Sequence, residues 1–88
     1  MDQLTDDTRG TFRVTTARST YTLNLTARTL TREGGQVLAD NDMFVLAQVE
    51  LVKVGEKMQV VVLLDGQYRR ITSSVVQFIA PVVVLPAA

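Results

Sequence analysis

The chain contains no cysteine and no histidine. Without cysteine there are no disulfides and no thiolate metal sites. Without histidine the commonest general base and the commonest metal ligand are missing. There is no excess of charge either, because nine basic residues face nine acidic ones. Proteins that coat nucleic acid are usually basic overall. The longest apolar run, Phe78–Ala88, is eleven residues broken by Pro81 and Pro86. A membrane-spanning helix needs about 18–20. The first residues are acidic and polar, with no apolar stretch of the kind a signal peptide carries. The expectation is a soluble, cytoplasmic chain that makes no membrane contact. No segment sustains a 3.6-residue period, so almost no helix is expected.

At 88 residues the chain is one domain. A domain this small buries a modest share of its surface and usually needs help from disulfides, metals or oligomerisation. With the first two removed, self-association is the remaining route. Charge is also segmented along the chain. Residues 1–7 carry three aspartates. Residues 8–39 carry five arginines against Glu33. Residues 40–66 carry five acids against Lys53 and Lys57, and residues 67–88 carry Arg69 and Arg70. Alternating sign by segment suits faces or subunits that meet by charge complementarity.

What the chain does have is period two. In "TFRVT", Phe12 and Val14 alternate with Arg13 and Thr15; in "TYTLNLT", Tyr21, Leu23 and Leu25 alternate with threonines and Asn24. Such alternation marks half-buried antiparallel strands, with threonine on the solvated face. "ARS" (Ala17–Ser19) is short enough for the hairpin between them. "ARTLTRE" reads as a third strand at a sheet edge, because Leu30 shares its face with Arg28 and Arg32. Gly34–Gly35 breaks the chain. "MFVLAQVELVKV" is a long strand with Val45, Ala47, Val49 and Leu51 on one face, and its parity then flips as at a β-bulge. Asp65–Gly66 joins two further strands, with Met58, Val60, Val62 and Leu64 inward. "TSSV" (Thr72–Val75) reads as a tight or 3₁₀ turn, and "VVQFIA" as the last strand, ended by Pro81. The predicted organisation is a flexible lead-in over 1–10, one β-barrel domain over 11–80 and an apolar tail or strand over 81–88.

A bent strand (Leu46–Val54), a tight hairpin (Lys57–Tyr68), a brief turn (Thr72–Val75) and a final strand (Val76–Ala80) follow one another in the order of the SH3-like small barrels. This resemblance implies an all-β fold, a small SH3-like β-barrel of five to seven antiparallel strands with almost no helix. The OB-type barrel is the alternative. The combination "FRVTTARSTYTLNLTARTLTRE", "VGEKM…VVLLDG" and "RRITSSVVQFI" also resembles short uncharacterised all-β proteins of actinobacteria and their phages. That resemblance implies an accessory protein acting on a host protein, and it implies no functional residue.

Catalytic and metal chemistry find little support. Asp40 and Asp42 in "ADND" have the oxygen donors a hard cation takes, but the further ligands of a calcium loop are missing, and Asp and Asn favour turns. Ser19, Ser73 and Ser74 have no histidine to activate them. "REGGQ" lacks the lysine of a phosphate loop. No enzyme activity, cofactor or metal is expected.

Two surfaces remain. Val61, Leu63 and the tail residues Val82, Val83, Val84 and Leu85 are more apolar side chains than a small barrel interior holds, and surplus apolar surface marks an interface. They predict a homo-oligomer and a non-enzymatic interaction module. Arg13, Arg18, Arg28, Arg32, Arg69 and Arg70 are the candidate basic surface. With Tyr21 and Tyr68 as stacking platforms they would make the alternative, a small nucleic-acid-binding regulator. A pocket between subunits that holds a phosphate-bearing ligand on Arg18 or Arg69 is a third reading.

Overall fold

A computed structural model describes residues 2–33 and 42–82. Seven strands follow in order: β1 (Gln3–Leu4), β2 (Thr11–Thr16), β3 (Thr20–Asn24), β4 (Thr29–Glu33), β5 (Asp42–Lys53), β6 (Lys57–Leu64) and β7 (Gln67–Pro81). The described residues contain no helix. Each strand from β2 to β7 pairs antiparallel with the next, and β7 pairs back onto β2. This closes a six-stranded barrel, with β1 added to β5. Consecutive pairing is the SH3-like order and departs from the Greek key of OB-type barrels.

Local chemistry accounts for the hairpins. Asp65 and Gly66 both have positive φ, 51° and 76°, the geometry of the two-residue turn that matches strand twist. The β2–β3 turn is held by Thr16, whose hydroxyl donates to the Ser19 carbonyl (2.8 Å) and accepts from the Ser19 amide (3.0 Å). The β3–β4 turn is held by the Asn24 side chain, which accepts from the amides of Thr26 and Ala27. The two "TAR" triplets therefore overlap turns. Between them Tyr21, Leu23 and Leu25 are buried, and Thr20 and Thr22 lie on the opposite, half-exposed face.

Four register shifts bend the long strands, one of them skipping Gln77 on β7 between Thr15 and Thr16 of β2. On β5 the pairing skips Ala47 and then Glu50. The inward residues are consequently Leu46, Val49 and Val52, spaced by three, and not the predicted set of Val45, Ala47, Val49 and Leu51. Val45 points outward. On β7 the expected turn at Thr72–Val75 is absent, and the strand runs unbroken through it. Its polarity serves a bulge instead. Where Lys57 and Gln59 on β6 face Val75 and Thr72, the Met58 amide donates to the Ser73 hydroxyl (3.1 Å) in place of a ladder carbonyl.

Two further expectations are corrected. β4 is not an edge, since it lies between β3 and β5. The predicted flexible lead-in contains β1, with Leu4 buried at 1% exposure against the core. Leu4 is the single apolar side chain between Met1 and Gly10, and an unfilled place beside β5 is what it occupies. The tail is only partly described. The Val82 amide donates to the Thr11 carbonyl (2.8 Å), so Val82 prolongs the chain's own β2–β7 pairing. Val83, Val84 and Leu85, like Asp40 and Gly34–Gly35, lie outside the described residues.

Candidate functional site

β7 changes partners halfway along. Val76–Pro81 pairs with β2, and Gln67–Thr72 pairs with β6. Along Gln67–Thr72 the side of β7 away from β6 has no strand partner among the described residues. Beside this stretch lie two hollows that share Tyr21 and Arg32. One, about 540 Å³, lies between the β2–β3 turn and the bend of β7. The other, about 280 Å³, is the mouth of the barrel, with Leu30, Phe44, Leu64 and Ile71 among its walls.

Hydroxyls shape the first hollow. The Ser74 hydroxyl donates to Thr16 Oγ1 (2.9 Å) and accepts from the Arg18 amide (3.1 Å). The Ala17 amide donates to the Val75 carbonyl (3.1 Å). These bonds fasten the β2–β3 turn to β7 and set Arg18 on the rim. Arg32 comes from β4, opposite Tyr21 in register, and Lys57 from the start of β6. Among the described residues no carboxylate lines either hollow. Glu33 stands in a neighbouring depression that also touches Arg18. The Arg32 Nε is buried with no hydrogen-bond partner among the described residues. A buried donor without an acceptor costs free energy.

The predicted arginine surface thus divides. Arg18, Arg32, Arg69 and Arg70 converge on the two hollows. Arg13 does not, because it projects from β2 opposite Thr22 and Ala80. Arg28 does not either. Its Nη2 donates to Asp6 Oδ1 (2.8 Å) and to the Ala47 carbonyl (3.0 Å) on the far side of the barrel. The same Asp6 oxygen accepts from the Val49 amide (2.9 Å). The guanidinium and the amide together hold the Asp6 carboxyl below its ordinary pKa, since both stabilise the anion. Arg70 is engaged by Glu50 in a two-pronged pair, Nε to Oε1 at 2.6 Å and Nη2 to Oε2 at 3.0 Å, and Glu50 pushes the guanidinium pKa further up. Arg18, Arg32, Arg69 and Lys57 make no ion pair among the described residues.

The apolar candidates fall on another face. Val61 and Leu63 are half-buried and project outward from β6. Val45, Leu63 and Tyr68 are directly opposite one another across β5, β6 and β7, so their side chains share one surface. Val45 is 52% exposed and Tyr68 73%. Met43, two residues before Val45 on the same strand, is 67% exposed. Tyr21 is core and offers no stacking platform. Sequence reasoning missed Lys57, Thr72 and the Ser73–Ser74 pair as parts of the cleft. Their signal was a cluster of hydroxyls, which reads equally well as a turn. Among the described residues no group of three or more acidic, histidine or cysteine side chains could hold a metal ion, and no helix is long and apolar enough to cross a membrane.

Comparison with known proteins finds no matching family model, no matching curated protein and no matching solved structure.

Proposed function

We propose that this protein is a non-enzymatic interaction module that self-associates through the outer face of β5, β6 and β7. The observation that supports this is the transverse row Val45–Leu63–Tyr68, extended by Met43 on β5 and Val61 on β6. An exposed apolar row on a sheet, bordered by charge, is the usual make-up of an interface core with a polar rim. Here the border is the Arg70–Glu50 pair, since Arg70 stands opposite Val61. A second copy fits the row because the row is nearly uncharged and able to face itself across a two-fold axis. Burying it also supplies the stabilisation that a disulfide-free domain of this size otherwise lacks.

The nucleic-acid reading has less support. Tyr21 is buried, and Arg28 and Arg70 are neutralised within the chain. Sedimentation velocity over a concentration series tests the proposal. The native chain sediments as an assembly, and Leu63→Glu combined with Val45→Glu sediments as a folded monomer. A native chain that is monomeric throughout, or a double variant that keeps the native mass, overturns it.

A further inference from the structure

We propose that the unpaired edge of β7 at Gln67–Thr72 docks an extended acidic segment of a partner protein, added as a strand and held by Arg18, Arg32 and Arg69. This edge adjoins the apolar row through Tyr68 and concerns a different partner. Three observations carry it. First, one side of this stretch has no strand partner among the described residues, and such an edge accepts an incoming strand by main-chain hydrogen bonds. Second, the surroundings of that edge are cationic, and Arg18, Arg32, Arg69 and Lys57 make no ion pair among the described residues. Arg18, Arg32 and Lys57 flank one hollow and Arg69 the other; among the described residues neither lining contains a carboxylate and the buried Arg32 Nε has no partner. Third, Phe44, Leu64 and Ile71 give the barrel mouth an apolar wall. A guest therefore needs carboxylates and an apolar side chain together. In an extended chain, neighbouring side chains project to opposite sides, so both are presented within a few residues.

The fold already contains one example of this arrangement. Beyond its pairing with β4, the edge of β5 is covered by the chain's own N-terminal segment. Gln3 and Leu4 pair with Lys53 and Val52, Leu4 fills the core, and Asp6 is caught by Arg28 and by the Val49 amide. Strand pairing, an apolar plug and a carboxylate clamped by arginine are the same three elements. On β7 the receiving half is present and the segment is not supplied by the described residues. Charge complementarity selects an acidic guest. A free phosphate would satisfy the arginines and leave the apolar wall uncovered. A nucleic acid would find Tyr21 buried and Phe44 only partly exposed in the hollows.

The test uses the full chain and a synthetic peptide with the sequence of residues 1–8, MDQLTDDT. The comparison ligands are a version with its three aspartates changed to asparagine and a single-stranded oligonucleotide. Binding is followed by amide chemical shifts and by titration at two salt concentrations. The acidic peptide is expected to shift amides of Gln67–Thr72, to bind more weakly at high salt, and to lose affinity about tenfold with Arg69→Gln or Arg32→Gln. Arg69 is exposed, so Arg69→Gln is expected to keep the native spectrum and separates lost binding from lost folding. Shifts confined to β5, equal binding of the uncharged peptide, displacement by the oligonucleotide, or no binding at all would each overturn the proposal.

Discussion

β5 and β7 face the same problem and meet it differently. Each is a long strand that changes neighbours midway, and each leaves part of one edge unpaired by the barrel itself. On β5 the gap is filled. The Arg28 carbonyl accepts the Leu46 amide, the Arg28 side chain reaches the Ala47 carbonyl, Asp6 accepts the Val49 amide, and β1 pairs with Val52 and Lys53. On β7 the corresponding gap is flanked by two hollows and four cations without acidic partners among the described residues. A barrel this small closes fully only where a further segment covers the splayed strand. One edge received that segment from its own chain and serves stability. The other has no such cover among the described residues.

Four substitutions separate these roles. The largest effect belongs to Leu4→Ala, which empties a fully buried site on the covered edge. A loss of about 2–4 kcal/mol is expected in urea unfolding, and an effect near zero would mean β1 is dispensable. Ser73→Ala comes next. It removes the acceptor of the buried Met58 amide at the bend beside the open edge, with an expected loss of about 1–3 kcal/mol by the same measurement.

Asp6→Asn is smaller, below about 1 kcal/mol, because the carboxylate is half exposed and solvent-screened. Its mark is in the pH dependence. The folded-state pKa of Asp6 is lowered, so its contribution is complete above the unfolded pKa of about 4. It is lost as pH falls through the folded value. Thermal melts of the native chain should therefore lose stability on acidification more steeply than those of Asp6→Asn, and parallel curves would remove the carboxylate clamp from the account. The smallest effect is expected from Arg69→Ala on the open edge, within about 0.5 kcal/mol of native stability. A larger loss in calorimetry would make that edge structural, like its counterpart on β5.

Local features of this fold were legible in the sequence, and long-range ones were not. The Asp65–Gly66 hairpin and the dry face of Tyr21, Leu23 and Leu25 depend on neighbours in the chain, so alternation and turn chemistry were enough. The inward set on β5 was misread because the positions of Ala47 and Glu50 as bulged residues are decided by register against β6. Thr72–Val75 has the composition of a turn. It became strand because the β6–β7 ladder continues through it and the Met58 amide uses a serine hydroxyl. Leu4 stands alone among polar residues with no period to announce it, and its burial depends on an edge nearly fifty positions away (Leu4 opposite Val52). Each arginine of the cleft could be named from the sequence. That Arg18, Arg32 and Arg69 meet while Arg13 and Arg28 do not is a product of barrel closure.

The pairing of β2 with β7 has a kinetic consequence. Every other contact between neighbouring barrel strands joins segments consecutive in the chain, and these can form as hairpins in microseconds. Phe12 opposite Pro81 joins the two ends of the barrel domain, and its loop-closure entropy is met only when nearly everything between is in place. That seam therefore carries the longest loop closure among the pairings of the barrel strands, and the hydroxyl bonds tying Thr16, Arg18 and Ser74 together lie beside it.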